Sequence, residues 1–171
     1  VTTTLVRTLG LRYREPDEIV FHVSNALARQ NPREMFVTLF CAVLDPASGL
    51  VTYASAGHPS PVLVRPGSPP DFPAQPTGGL AGMDPGLKVT RQSIELRPGD
   101  TLVLYTDGVT ETMDEADELF GDERLLAHLD AGKDMRPAAH ASAAADGAAL
   151  EVLEPLLGAA HEVVVGGHDH G

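Results

Sequence analysis

The segment Thr101-Leu-Val-Leu-Tyr-Thr-Asp107-Gly108-Val-Thr-Glu111 carries more information about this chain than any other stretch. An apolar run typical of a buried strand ends on an Asp-Gly pair, and polar and acidic residues follow. Arg97-Pro98-Gly99-Asp100 comes just before it and predicts the turn that launches the strand. A carboxylate at the end of a buried strand is well placed to hold a divalent cation. Asp-Gly is also a common hairpin-turn pair, because both residues tolerate positive φ, so the motif alone leaves both interpretations open.

Composition and charge narrow the class of protein. The chain has 171 residues, which predicts a single domain over 1–171 with a proper core. Its net charge of −12 disfavours binding to nucleic acids or to anionic membranes, and suits divalent cations or a basic protein partner. No apolar run approaches the ~20 residues that span a bilayer. The single cysteine, Cys41, lies in an apolar run and is expected in the core. It cannot form an internal disulfide, which fits a cytoplasmic protein.

The first half of the chain predicts two helices followed by a hairpin. Leu5, Leu9 and Tyr13 repeat at helical spacing within 1–14. Pro16 followed by two acidic residues predicts the start of a second helix, because a helix N-terminus favours proline and negative charge. The predicted hairpin has a strand over 35–44, a turn over 45–49 and a return strand over 50–56.

The second half is less regular. We expect strands at 62–64, 87–96 and 101–106, a proline-rich and glycine-rich loop over 66–86, and a helix capped by Asp122. The alanine-rich segment 131–149 predicts a frayed helix or a flexible stretch, and the terminus from 150 to 171 is atypical. There, Leu150, Leu153 and Leu157 predict a helix and 163–165 a strand. Hairpin-connected strands with flanking helices indicate an α+β sandwich rather than a doubly wound parallel sheet.

In this order, four blocks of the sequence resemble the SpoIIE-type branch of the metal-dependent protein phosphatases, the PPM family. The resemblance is strong over 1–130. The blocks are Met35-Phe-Val-Thr-Leu-Phe, Leu44-Asp-Pro-Ala-Ser-Gly-Leu-Val-Thr-Tyr-Ala-Ser-Ala-Gly-His-Pro-Ser-Pro, Leu96-Arg-Pro-Gly-Asp-Thr-Leu-Val-Leu-Tyr-Thr-Asp-Gly-Val-Thr-Glu and Leu119-Phe-Gly-Asp-Glu-Arg-Leu-Leu.

The resemblance implies a fold, a reaction and a cofactor. The fold would be a β-sandwich of two mainly antiparallel sheets flanked by helices, in αββα layers. The reaction would be hydrolysis of phosphoserine or phosphothreonine with two Mn²⁺ or Mg²⁺ ions and a metal-activated water, without a catalytic side chain beyond it. By position, Asp107 matches a metal-binding aspartate of the family, and Gly108 lets the chain turn close beside the ion.

Two further residues have open roles. His58, in the matched Ala-Gly-His-Pro-Ser-Pro block, is either a turn histidine whose ring bonds the backbone or a catalytic residue. Glu111 follows Asp107 closely enough in the sequence to position a metal ligand without binding the ion itself. It is equally typical of a surface charge.

The two ends of the chain depart from the family pattern. The family carries further metal ligands on an upstream strand and in an Asp-x-x-Gly-His-Gly segment. Val1-Thr-Thr-Thr-Leu5 resembles the residues that directly follow that segment. We therefore expect a longer parent polypeptide, which could include a sensor domain. At the other end the family opens its final strand with paired aspartates, and Glu162 is the candidate ligand that stands there.

An alternative interpretation of the terminus stays open. Val163-Val-Val-Gly-Gly-His-Asp-His-Gly171 resembles a degenerate copy of the missing strand and its Gly-His-Gly turn. The chain order would then be permuted, or a second eroded copy would begin there. His168, Asp169 and His170 could also bind a metal by themselves.

Three functions follow from these observations. The first is an Mn²⁺- or Mg²⁺-dependent serine/threonine phosphatase domain acting on a phosphorylated anti-sigma-factor antagonist in bacterial partner switching. The second is a phosphatase-like binding module with an impaired metal site, because one matched carboxylate cannot hold two divalent ions against water. The third is a structural fragment of a longer enzyme.

Overall fold

Two antiparallel sheets and four helices make up the described part of the chain. The computed structural model describes residues 2–29, 36–45, 47–73, 76–114, 116–132, 150–153 and 161–170. The helices are α1 Thr2–Gly10, α2 Pro16–Arg29, α3 Asp107–Thr110 and α4 Gly121–Gly132. The strands are β1 Phe36–Asp45, β2 Leu50–Ala56, β3 Val62–Val64, β4 Gln92–Glu95, β5 Thr101–Tyr105, β6 Leu150–Leu153 and β7 His161–His170. The predicted α+β class with two antiparallel sheets is confirmed.

The chain divides into two compact units. The first contains the described residues of 1–58, 75–95 and 157–171, and the second those of 59–74 and 96–156. The prediction of one domain over 1–171 stays a prediction.

The first unit is a four-stranded sheet with two helices packed on it. The strand order is β4-β2-β1-β7, with every neighbouring pair antiparallel. The turn over 45–49 joins β1 to β2 with Asp45 opposite Leu50, as predicted. Apolar residues of α1, α2 and the sheet form one core cluster, because both strands and helices present small or branched side chains to it. Its members are Val6, Ile19, Val20, Val23, Leu39, Cys41, Ala54, Ala56 and Ala81.

Cys41 is buried in that core, as its apolar surroundings in the sequence predicted. Residues 76–90 form an irregular segment that is anchored to the same unit. Ala81 exchanges two backbone hydrogen bonds of 3.0 Å with Val37, and the Gly82 N–H donates to Ser24 Oγ at 3.1 Å. The Ser55 N–H donates to Thr77 Oγ1 at 2.5 Å, and that hydroxyl donates back to the Ser55 carbonyl at 2.9 Å.

The second unit is a three-stranded sheet in the order β3-β5-β6, with α4 packed against it. Its central strand, β5, is buried over four of its five residues. Val62, Val64, Val103, Tyr105 and Leu125 form its core cluster. In the described ranges no helix is both long and apolar enough to cross a membrane.

Four expectations about elements need correction. Leu150–Leu153 is strand β6 rather than helix, because its backbone pairs with β5 (Val103 opposite Val152), and Leu157 lies outside the described residues. β4 is limited to Gln92–Glu95, the stretch that pairs with β2. Asp122 lies inside the first turn of α4 rather than at its cap. His168, Asp169 and His170 lie within β7 rather than in a turn. Of the alanine-rich segment, 133–149 lies outside the described residues.

Candidate functional site

Asp107 lies where the buried strand β5 gives way to the short helix α3. Thr106 is extended and 4% exposed, and Asp107 itself is half-buried as the first residue of α3. Its Oδ1 accepts a hydrogen bond of 2.9 Å from the Gly108 N–H. The hairpin-turn interpretation of Asp107-Gly108 is wrong, because the chain enters a helix there. The structure thus places the Asp107 carboxylate at the end of a buried strand, and its role as a metal ligand stays a prediction.

The chain changes direction between the end of β5 and Thr112, a segment we call the Asp107 corner. Backbone and hydroxyl hydrogen bonds stabilise it. The Glu111 N–H donates to the Asp107 carbonyl at 2.8 Å, and Thr110 Oγ1 donates to the same oxygen at 3.2 Å. Thr112 Oγ1 donates to the Gly108 carbonyl at 2.6 Å. The Glu111 side chain is exposed. Gly108 therefore acts as a helical residue that both donates and accepts, and the backbone around Asp107 is well anchored.

Tyr105, the last residue of β5, has an altered acidity. Burial disfavours its phenolate, and the negative charge of Asp122 adds to the effect, which raises the pKa of Tyr105 to about 12. The phenol donates to Asp122 Oδ1 at 3.5 Å. This neutral phenol was not among the candidates from sequence, since a tyrosine in an apolar strand gives no signal beyond core packing.

His58 is a buried residue in the first unit, directly after the β2 strand. It is 5% exposed, its Nδ1 lies 3.3 Å from Thr38 Oγ1, and Ser55 Oγ donates to its carbonyl at 3.4 Å. Gly57 fits the turn before it, because its φ is +69° and a Cβ there would lie 2.5 Å from Leu80 Cδ2. The ring thus meets a hydroxyl of β1, and the backbone partner that the turn interpretation expects stays a prediction. A catalytic role for His58 stays a prediction.

Glu162 lies in β7, opposite Val43 of β1. The β1–β7 pairing is interrupted further along, where Val37 faces Asp169 and Leu39 faces Gly166. One residue of β1 thus stands against two of β7, which is the arrangement of a β-bulge. A ligand role for Glu162, and the permuted interpretation of the terminus, stay predictions.

A two-ion centre needs more oxygen ligands than the described residues bring together. Mn²⁺ and Mg²⁺ take about six ligands each, mostly carboxylate and water oxygens. Across the ranges described above, no three His, Cys, Asp or Glu side chains lie together in a group that could hold a metal ion. The role of Asp107 as one donor of such a set stays a prediction. The described residues therefore do not fit the complete two-ion site that the resemblance implies.

Sequence reasoning also missed the bonds of two other acidic residues. Asp100 is 4% exposed, and its Oδ2 accepts from Arg65 Nε and from the Arg97 N–H, each at 3.0 Å. Asp114 Oδ1 accepts from the backbone N–H groups of Ala116 at 2.9 Å and Glu118 at 3.1 Å. The Arg97-Pro-Gly-Asp turn was a signal from which the bonds of Asp100 could have been predicted. Asp114 gave no such signal, because it lies in a carboxylate-rich stretch that predicted only a solvated surface.

Comparison with known proteins agrees with this architecture. The family model described as "Stage II sporulation protein E (SpoIIE)" matches residues 1–154. Protein IcfG of Synechocystis sp. (strain ATCC 27184 / PCC 6803 / Kazusa) is 38% identical over 97 residues, which cover 57% of this chain and 15% of that protein. Phosphoserine phosphatase RsbU of Bacillus subtilis (strain 168) is 26% identical over 100 residues, covering 58% of this chain and 30% of that protein.

A solved structure shows the same fold. The crystal structure of the RsbU and RsbW domains of Rv1364c from Mycobacterium tuberculosis aligns with a TM-score of 0.66 and 27% identity. The alignment covers 80% of this chain and 37% of that one. The chain thus spans less than a third of each curated relative named above. Together with the family match over most of its length, these findings show that the chain belongs to the SpoIIE family of PPM-type bacterial phosphatase domains.

Proposed function

We propose that the chain is the phosphatase domain of an Mn²⁺- or Mg²⁺-dependent serine/threonine protein phosphatase, with Asp107 as one of its metal ligands. The observation that carries the proposal is the position of Asp107. Its half-buried carboxylate follows four buried residues of β5 and lies within the stretch that matches the SpoIIE family. A carboxylate at such a boundary is partly shielded from water and still reachable by a hydrated cation.

The substrate we propose is a protein that carries phosphoserine or phosphothreonine, namely an anti-sigma-factor antagonist of a partner-switching pathway. Two similarities support this choice. One relative is named a phosphoserine phosphatase, and the similar solved structure contains an RsbU domain together with an RsbW domain. The acidic character of the chain, with a net charge of −12, fits a reaction that requires divalent cations.

The other candidate residues take supporting roles in this proposal. The Gly108 N–H holds the Asp107 carboxylate by its 2.9 Å hydrogen bond. Glu111, whose N–H fixes the Asp107 carbonyl, orders the backbone of the corner, and its exposed carboxylate is available to ordered water. His58 joins β1 to the segment after β2 through Thr38. Glu162 is retained as a weaker candidate ligand at the start of β7.

A second function is supported by a separate observation. Within the described residues no group of three metal-binding side chains is assembled. A phosphatase-like module that regulates its partners by contact, with an impaired metal site, would have this property. The two candidates differ in one measurable quantity, which is the dependence of hydrolysis on the metal ion.

The experiment measures hydrolysis of p-nitrophenyl phosphate with and without Mn²⁺ for the wild type and for two variants. Asp107→Asn removes the proposed ligand, and Asp84→Asn changes an exposed aspartate of the first unit as a matched control. We expect Mn²⁺-dependent turnover that falls by roughly 100-fold or more in Asp107→Asn, because loss of even a supporting residue of a metal site costs about 10–100-fold. Asp84→Asn is expected to match the wild type.

Calorimetric titration with Mn²⁺ decides between the two functions. Heat of binding that disappears in Asp107→Asn supports the enzyme. A chain that neither turns over substrate nor binds Mn²⁺ would refute the enzyme for this chain. Substrate class is tested with a phosphoserine-bearing anti-sigma-factor antagonist beside a phosphotyrosine peptide, and faster hydrolysis of the tyrosine ester would refute the proposed specificity.

A further inference from the structure

An exposed pair of large apolar side chains lies just beyond the Asp107 corner, in the second unit. Met113 is 61% exposed and Leu119 is 51% exposed. The two residues face each other in an antiparallel bridge. Side chains directly opposite in such a bridge lie on the same face, about 5 Å apart at their Cβ atoms. Met113 and Leu119 therefore form one continuous apolar surface rather than two scattered contacts.

The backbone that presents this surface is held in place. The Phe120 N–H donates to the Thr112 carbonyl at 2.8 Å, and the Asp114 N–H donates to the Glu118 carbonyl at 3.0 Å. These bonds flank the bridge on both sides. The two apolar side chains are thus displayed by a hairpin whose two arms are joined by hydrogen bonds, and a surface held in this way loses little conformational entropy on binding.

Arg124 of α4 braces the same hairpin. Its guanidinium lies 3.4 Å from Asp114 Oδ2 and 2.9 Å from Glu118 Oε2. Each of these ion pairs is exposed and contributes little to stability by itself. Their effect here is geometric, because they tie the tip of the hairpin to the helix that follows it. The exposure of Met113 and Leu119 is therefore a property of an anchored structure.

Charge identifies the kind of partner that fits this surface. The sequence from 111 to 123 holds seven carboxylates and no lysine, arginine or histidine. Arg124 engages two of them, which leaves the surroundings of the apolar pair strongly negative. A second copy of this chain, itself at −12, would be repelled. A basic segment with apolar side chains would meet both the apolar pair and the charge.

We propose that Met113 and Leu119 form a docking surface for a basic, amphipathic segment of a partner protein. The apolar side chains of that segment cover Met113 and Leu119, and its lysine or arginine residues pair with the surrounding carboxylates. Docking of this kind requires neither a metal ion nor hydrolysis. It therefore goes beyond the proposed phosphatase activity and can be measured independently of it.

The test is fluorescence anisotropy of three short labelled peptides with the full chain, in buffer with EDTA. Lysine alternates with leucine in the first, lysine with serine in the second and glutamate with leucine in the third. Met113→Ser/Leu119→Ser removes the apolar pair. Met83→Ser/Leu11→Ser is the matched control, because Met83 is 57% and Leu11 is 92% exposed in the first unit.

We expect the lysine–leucine peptide to bind best and to lose about tenfold or more in affinity with Met113→Ser/Leu119→Ser, since central apolar contacts carry most of the energy of an interface. The control variant should stay within about twofold of the wild type, as surface residues outside an interface do. Equal binding of the lysine–serine peptide would overturn the proposal in favour of charge alone. Equal loss in both double variants, or no binding of any peptide, would also overturn it. Because EDTA removes the metal, none of these results bears on the phosphatase proposal.

Discussion

The two ends of strand β5 carry the same type of residue in different surroundings. Asp100, just before the strand, is 4% exposed and accepts hydrogen bonds from Arg65 Nε and the Arg97 N–H. Asp107, just beyond the other end, is half-buried, and its Oδ1 accepts from the adjacent Gly108 N–H. The first carboxylate closes a turn and ties it to a residue 35 positions away. The second is bound to the start of a four-residue helix.

The difference shows what distinguishes a structural aspartate from a candidate ligand. A buried carboxylate with a cation and an amide as partners is compensated within the fold, and its removal leaves those partners unsatisfied. Asp107 lies at a partly exposed corner instead, where Glu111 and Thr110 anchor its backbone and the Gly108 N–H donates to its carboxylate. The comparison therefore predicts separate effects on stability and on activity.

The largest effect is expected for Asp107→Asn. Hydrolysis should fall by roughly 100-fold or more if Asp107 is a metal ligand. The free energy of unfolding should change by less than about 1 kcal/mol, because asparagine can still accept the Gly108 hydrogen bond. Urea unfolding beside the hydrolysis assay measures both quantities. A loss of stability as large as the loss of transition-state stabilisation would remove the distinction between the two ends of β5.

Asp100→Ala is expected to have the opposite profile. Removing the carboxylate leaves the Arg97 N–H and Arg65 Nε without this acceptor, which should cost about 2 kcal/mol of unfolding free energy. The cost is modest because Arg65 is 35% exposed, so water can replace part of its interaction with Asp100. Activity per folded molecule should be unchanged. Asp71→Ala, in the same unit, is the control for urea unfolding, and equal destabilisation of both variants would contradict the role given to Asp100.

The environment of Tyr105 provides a test of how well buried the Asp107 end of β5 is. Burial, followed by the charge of Asp122, raises the pKa of Tyr105 from 10.0 to about 12. Below pH 10 the phenol is neutral in both states, and its contribution to stability is complete. Between pH 10 and about pH 12 only the unfolded chain loses the phenol proton, so the free energy of unfolding falls as the pH rises.

Tyr105→Phe removes that titration. We expect the wild type to lose about 2 kcal/mol more stability than Tyr105→Phe as the pH rises from 10 towards 12. Near neutral pH the two proteins should differ little, because the hydrogen bond to Asp122 is long at 3.5 Å. Urea unfolding at a series of alkaline pH values measures the difference. Parallel curves for the two proteins would show that the end of β5 is open to water.

Much of the fold was predictable because its signals are local. Pro16 with its acidic neighbours marked the start of α2, and the apolar run after 35 marked β1. Strand β6 was missed because Leu150 and Leu153 have helical spacing. They lie in a strand because their segment pairs with β5, which is far away in the sequence. Helix α3 has four residues and so has no detectable period.

The candidate site was predictable in part. The position of Asp107 at the end of a buried strand followed from the sequence pattern. The surroundings of His58 did not, because Thr38 is twenty positions away and only the pairing of β1 and β2 brings the two side chains together. Whether further ligands join Asp107 depends equally on contacts between distant segments. Local sequence patterns carry no information on such contacts.

The smallest effect is expected at Asp114, an aspartate that is exposed and yet bound to its own loop. Hydrogen bonds from the Glu118 and Ala116 N–H groups, with help from Arg124, lower the pKa of Asp114 below its usual 3.8. A lowered pKa adds stability above the usual value, and that stability is lost as the pH falls through the lower value of the folded state.

In Asp114→Asn the decline of the melting temperature towards acid pH should therefore be slightly shallower than in the wild type. Asp117→Asn is the control in the same hairpin, because asparagine also tolerates the left-handed φ of +59° at that position. Thermal unfolding from pH 5 downward, roughly across the carboxylate range, measures the slopes. Identical slopes in the wild type and Asp114→Asn would mean that the loop's hydrogen bonds form equally well without the charge. A shallower slope would show that hydrogen bonds within the loop, with help from Arg124, stabilise the charged form of an exposed aspartate. Because the Asp107 carboxylate also accepts from a local amide, that of Gly108, the same result would show that such a bond can stabilise a charged carboxylate at the end of β5.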